Sequence, residues 1–118
     1  MSRQAGERAE RVAQRILERR GLETICRNYH CRWGELDLVM RDGDVLVVVE
    51  VRARGDSRYG SPEQSVGPAK RARLIAAARH LLAARPRLAV SPLRFDIVAL
   101  TPAGGDYTFR WLKDAFRH

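Results

Sequence analysis

Between Gln4 and Arg20 the apolar residues Ala9, Val12, Ala13, Ile16 and Leu17 return every three to four positions. That spacing lines them along one stripe of a helix, and Gly21 follows where a C-cap belongs. An amphipathic helix is therefore the first predicted element. Leu22 to Tyr29 reads as a strand, with Ile25 and Cys26 inside it, and His30 to Trp33 links it onward. His30 has no second histidine or carboxylate at ligand spacing and reads as a loop residue. From Gly34 to Arg52 two runs rich in Leu and Val flank Asp42-Gly43, a strong hairpin turn signal. Ala53 to Gly67 is a run of about fifteen residues of Gly, Ser, Pro and charge, a length of loop that tends to be functional or mobile. Pro68 then suits the first turn of a second helix reaching Ala84, with Leu74, Ile75, Ala78, Leu81 and Leu82 on its core face and Pro86 beyond its end. Leu93 to Leu100 is predicted as a strand, Gly104-Gly105 as a turn, Tyr107 to Leu112 as a short strand, and Lys113 to His118 as a tail. The resulting order is helix, strand, hairpin, long loop, helix, strand, strand. That is an α/β arrangement: a mixed sheet of about five strands whose first strands are antiparallel, with a helix available for each face.

The hairpin carries the candidate chemistry. A two-residue loop at Asp42-Gly43 pairs Arg41 with Asp44, sets Glu35 opposite Glu50 and sets Asp37 opposite Val48. Because side chains alternate, Glu35, Asp37, Glu50 and Arg52 are expected on one face. The second hairpin strand, Val45 to Val51, is otherwise apolar, as in strands covered on both faces. A carboxylate there is costly to bury unless it is paired, hydrogen-bonded or bound to a metal. Several carboxylates held together repel one another, and a divalent cation relieves the repulsion; an all-oxygen ligand set suits Mg²⁺ or Mn²⁺ rather than zinc. The competing reading is that Glu50 and Arg52 form ion pairs where the strand emerges into solvent. Glu10 stands at the flank of the first helix's apolar stripe, placed either to reach over the sheet edge or to pair with a nearby arginine. Asp96, alternating with Phe95 and Ile97, is expected to be a hydrogen-bonded structural residue.

Composition narrows the partners. A chain of 118 residues makes one domain, 1–118, with a single core. Twenty-two basic against fourteen acidic residues give a net charge of +8 and a pI near 10.7. Such a balance favours a polyanion, nucleic acid before an anionic membrane surface. Of the basic residues only Lys70 and Lys113 are lysines, and so heavy an arginine and alanine usage reduces the weight of the charge. The longest apolar run, Val45 to Val49, falls far short of the ~20 residues that span a bilayer. The charged N-terminus is no secretory signal, so a cytoplasmic protein is expected, with Cys26 and Cys31 as reduced packing thiols. Arg54 and Arg58 beside Tyr59 are candidates to grip a phosphate and stack on a base. Lys70, Arg71 and Arg73, in the first turns of the second helix, would suit a phosphate, although a solvated face is the commoner explanation of such a run and a solvated loop explains Arg54 and Arg58 equally well.

Carboxylates entering a hairpin and E-x-R on its second strand, inside this element order, resemble the PD-(D/E)xK nuclease core of restriction endonucleases and archaeal Holliday-junction resolvases. More closely, nearly the whole chain resembles the YraN-like family of uncharacterised bacterial proteins, predicted nucleases of that fold. The matching residues are Gly6 with Glu10 and Ala13, Arg27-Asn28-Tyr29, Gly34-Glu35-Leu36-Asp37-Leu38, Val49-Glu50-Val51-Arg52 with Arg54, Tyr59-Gly60, Ser65-Val66 with Lys70, Arg94-Phe95-Asp96 and Asp114-Ala115-Phe116. The resemblance implies a restriction-endonuclease-like core and a Mg²⁺- or Mn²⁺-dependent endonuclease hydrolysing phosphodiesters in DNA, branched or otherwise structured. In it Asp37 and Glu50 hold the metal, Glu10 and Glu35 assist directly or through water, and Arg54, Arg58, Lys70, Arg71 and Arg73 position the backbone. By analogy with the resolvases it also implies a homodimer. Arg52 stands where the motif asks for Lys, and an arginine stays protonated, so it serves as electrostatic partner rather than general base. Ala9 replaces the small glycine expected before Glu10. Two other classes remain open: a non-catalytic nucleic-acid-binding module of the same fold, for DNA or RNA, and an interaction protein whose basic surface meets an acidic protein.

Overall fold

The computed structural model describes residues 3–53 and 62–118, with side chains described for 6–53 and 64–118. Arg54, Arg58 and Tyr59-Gly60 lie outside the described residues. The elements are α1 (Arg3–Arg19), β1 (Glu23–Cys31), β2 (Gly34–Asp42), β3 (Val45–Ala53), a short α2 (Pro62–Ser65), α3 (Pro68–Ala84), a 3-10 turn (Pro86–Val90), β4 (Leu93–Ala103) and β5 (Asp106–Phe116). The five strands lie in one sheet in chain order. Only β3 and β4 are parallel; the other pairs are antiparallel.

The predicted layers form for the predicted reason. Ala9, Ala13 and Leu17 of α1 pack against Leu38, Met40, Val47, Val49, Val51, Val98 and Leu100 on one face of the sheet. Leu74, Ala77, Ala78 and Leu81 of α3 pack against Leu36, Val39, Leu46, Val48, Phe95 and Ile97 on the other. Strand β3 alternates between the two layers, so its apolar run is the signature of a strand covered on both sides. Gly21, at φ +95°, ends α1 in a conformation costly for any residue with a Cβ.

Three expectations are corrected. First, the β2–β3 turn is Gly43-Asp44, not Asp42-Gly43: Asp42 pairs with Val45, Arg41 with Leu46 and Leu38 with Val49. Gly43 has φ +60°, which suits the first central position of a type II′ turn, and Asp42 stays in the strand where its carboxylate accepts a 3.0 Å bond from Arg94. Between Leu38 and Asp42 the pairing is thus displaced by two residues from the expected one, which preserves the parity of faces over that span; a displacement of one would have inverted it. Second, β1 runs on through His30 to Cys31 and closes on β2 by a two-residue turn, Arg32-Trp33, so His30 is a strand residue. Third, the tail after Leu112 is strand. The β4–β5 register shifts between Phe95 and Ile97, and Asp114 adopts φ +52°. That irregularity hides the alternation from the sequence while bringing Phe116 back onto Phe95, ring centroids 4.9 Å apart.

A candidate metal centre at one end of the sheet

Antiparallel pairing puts the start of β2 beside the ends of β1 and β3, and α1 crosses over that end of the sheet. Glu10 reaches there from α1, Glu35 and Asp37 from β2. One carboxylate oxygen from each lies within 4.8 Å of the other two. Side-chain alternation along β2 breaks at this level: Leu36 belongs to the α3 layer, whereas Leu38 and Met40 belong to the α1 layer. Asp37 sits at the break and serves both sides. It joins Glu10 and Glu35, and its Oδ2 accepts the Val51 N–H at 3.0 Å. It also lies against Glu50, whose ionisation it opposes.

Glu50 is 3% exposed. Its Oε2 is 3.5 Å from Lys70 Nζ and 3.5 Å from Arg52 Nη1. These cations do not outweigh desolvation and the neighbouring Asp37 charge, and its carboxyl is pushed up to about 8. Glu10 rises to about 7, first through burial and then through the charges of Asp37 and Glu35, with Arg27 opposing. Among the described residues, Glu10 Oε1 and Glu50 Oε1 are buried without a hydrogen-bond partner. Buried polar atoms are rarely left so. Two orphaned carboxylate oxygens beside a cluster of oxygen donors fit a hard divalent cation, Mg²⁺ or Mn²⁺, rather than a metal that favours thiolate or imidazole.

The expectation that Glu35, Asp37, Glu50 and Arg52 share one face is corrected, because the break in alternation along β2 divides them between the two sides of the sheet. Glu35 groups with Asp37 and Glu10 across the α1 side, while Glu50 and Arg52 lie on the α3 side, joined to the others through Asp37. Arg52 is held on α2: Nη2 donates to the Ser65 carbonyl at 2.6 Å and Nε to Ser65 Oγ at 3.2 Å. Lys70 joins the site through Glu50. Arg71 instead donates from Nε to the Val66 carbonyl at 2.6 Å and lies over the Phe116 ring. Arg73 is exposed and packs its stem near Gly34. A cleft of about 400 Å³ opens on the acids, lined by Gly6, Glu7, Glu10, Asn28, His30 and Glu35. Glu7, Asn28 and His30 were not foreseen as site residues. His30 was legible in principle: the Arg32-Trp33 turn fixes it opposite Glu35, and its Nδ1 stands 3.7 Å from Glu35 Oε2. Asn28, at φ +51°, is placed by backbone geometry that no local motif announces.

An α/β protein with a mixed five-stranded sheet, whose acids and cations gather at one end, is the class that fold and site define. Residues 9–100 match the model of the family described as "Uncharacterised protein family UPF0102", and the chain belongs to that family, the one its motifs pointed to. It is 49% identical over 115 residues to a UPF0102 protein of Nitrosococcus oceani, a match covering 98% of this chain and 93% of the relative. To one of Xanthomonas campestris pv. campestris it is 47% identical over 114 residues, covering 97% and 92%. A Bordetella petrii member is 48% identical over 122 residues, covering 98% of this chain and 71% of the relative. Among the described residues no helix is long and apolar enough to cross a membrane.

Proposed function

We propose that this protein is a metal-dependent nuclease of restriction-endonuclease-like type that hydrolyses phosphodiesters in DNA, with branched or otherwise structured DNA as the favoured substrate. The observation that carries the reading is the meeting of Glu10, Glu35 and Asp37 within 4.8 Å, next to a buried Glu50 with one unsatisfied oxygen. Glu10, Glu35 and Asp37 would hold Mg²⁺ or Mn²⁺, with Glu50 beside Asp37. When bound, the cation acidifies water and neutralises charge on the phosphate. The chain's own groups do the rest. Asp37 is fixed by the Val51 N–H, which orients its remaining oxygen. Lys70 and Arg52 flank Glu50 from the α3 side, 33% and 30% exposed, so part of their charge would be available to a phosphate oxygen. Arg52 remains protonated and takes no proton. The overall charge of +8 favours a polyanionic substrate.

The test is incubation of purified protein with Mg²⁺ or Mn²⁺ and labelled linear, flapped and four-way DNA. Cleavage is expected, reduced at least about a hundred-fold in Asp37→Ala and Glu50→Ala, the scale on which removed charge-stabilising groups act. Absence of cleavage on every substrate with both metals would sink the proposal.

One observation favours a second reading, a nucleic-acid-binding module without catalysis. Arg52 is engaged by Ser65 and Glu50, a structural use of the position where the nuclease motif has lysine. Salt-sensitive DNA binding with no cleavage is the result that reading expects.

A further inference from the structure

The two flanks of α1 differ in charge. Glu10 and Gln14 face β1 and β2, where Glu10 meets the acid cluster and Gln14 bonds Thr24. The opposite flank, towards β5, presents Arg8, Arg11 and Arg15. With Glu7, Val12 and Asp106 these arginines line a cleft of about 430 Å³. Beneath that flank runs β5, an edge strand paired, among the described residues, only with β4. Tyr107, Phe109 and Trp111 alternate along it and so share a face, and each carries a cation. Arg8 lies 5.8 Å from the Tyr107 ring centre, Arg20 5.2 Å from Phe109 and Lys113 4.4 Å from Trp111. Phe109 is 38% exposed. A row of rings interleaved with cations beside an arginine-lined groove is the combination that binds unpaired strands: bases stack on the rings while phosphates meet the guanidinium groups. A duplex conceals its base faces and gains little from such a floor.

The groove also leads somewhere. Strands β3 and β4 are parallel, so the β4–β5 turn lies at the same end of the sheet as Glu50. Arg8 Nη2 donates to the Gly105 carbonyl of that turn at 3.2 Å. Glu7 lines both this cleft and the one containing Glu10 and Glu35, so the two meet across the first turns of α1.

We propose that the groove between α1 and β5 binds an unpaired strand of DNA, its phosphates on Arg8, Arg11 and Arg15 and its bases against Phe109 and the flanking rings, and leads that strand towards the acid cluster. This rests on the reading of DNA as the substrate and specifies the part of it that is gripped: a single-stranded flap, gap or junction arm.

The test measures binding of labelled oligo(dT) to the wild-type chain in EDTA across a salt series, so that it is independent of cleavage. Salt-dependent binding tighter than to a blunt duplex of the same length is expected. The R11E/R15E pair should weaken it about ten-fold or more and flatten the salt slope by one to two. Phe109→Ala should weaken it about five-fold with the slope unchanged, the loss of one stacked base. Thermal melts of these surface variants should match the wild type. Oligo(dT) binding unaltered in both variants, or no tighter than to the duplex, overturns the proposal, and tighter binding of oligo(rU) overturns its assignment to DNA. A chain that binds oligo(dT) through this groove yet cuts nothing leaves the groove standing and removes the nuclease. A chain that cuts DNA with both variants binding normally does the reverse.

Discussion

Two acids interrupt the apolar strands at the centre of the sheet, and their surroundings differ in kind. Asp96 on β4 is 0% exposed. Both its oxygens are used: Arg94 donates to them from Nε at 2.8 Å and Nη2 at 3.0 Å, Trp111 Nε1–H donates at 2.9 Å and the Asp114 N–H at 2.9 Å. Glu50 on β3 is almost as deeply buried, yet its cations stand 3.5 Å away, Asp37 lies against it and one oxygen has no partner among the described residues. One acid is a closed hydrogen-bond network that pins β5 across the register shift. The other is an open one whose repulsion awaits a proton or a cation. Burial alone does not separate structural from functional carboxylates; satisfaction of their oxygens does.

The sharpest way to break that contrast is Asp96→Ala, which strands the Arg94 guanidinium, the Trp111 N–H and the Asp114 N–H together. A loss of about 3–5 kcal/mol is expected in chemical denaturation, the cost of removing one partner from a buried charged network. A loss under about 1 kcal/mol would show that the network is not what holds β5.

The contrast is broken a second way by the dependence of stability on pH. Glu50 and Glu10 have native values of about 8 and about 7 against an ordinary 4.5. Between these limits the native state binds more protons than the unfolded one, so stability must fall as pH rises through that window. The melting temperature without divalent ions should drop from pH 5 to pH 8. Mn²⁺ should restore part of it at pH 8, because a ligand of the native state stabilises it. A flat profile, indifferent to Mn²⁺, would count against the cluster as a cation site.

The smallest expected effect is that of Glu50→Gln on folding. An amide removes the repulsion with Asp37 while keeping the volume, so stability at pH 8 should equal or exceed the wild type within about 1 kcal/mol, and the pH slope should shrink. Destabilisation above about 2 kcal/mol would place Glu50 with Asp96 as a structural acid.

Much of this was legible from the pattern of residues. Pro68 and the apolar stripe from Leu74 to Leu82 define α3, and Ala9 to Leu17 define the stripe of α1, because a helix periodicity needs only local sequence. The doubly covered β3 and the isolated acids Glu50 and Asp96 were visible for the same reason, and Asp96 was assigned its structural role. The exact pairing of the hairpin was not: both Asp42-Gly43 and Gly43-Asp44 make acceptable two-residue turns, and the ion pair of Asp42 with Arg94, 52 positions away, accompanies the second. Nor was the end of β5, where the bulge opposite Asp96 and the positive φ of Asp114 interrupt the alternation.

The sequence by itself determined which segments are helix and strand, which faces are apolar, and that Glu35, Asp37, Glu50 and Arg52 come from neighbouring strands. Those are consequences of period and composition. Only the tertiary structure decided that Glu10 joins Glu35 and Asp37, that Arg52 rests on Ser65, and that one acid is satisfied and the other is not. Each of these depends on atoms brought together from distant parts of the chain, where hydrogen-bond geometry and desolvation are set by packing and not by any neighbour in sequence.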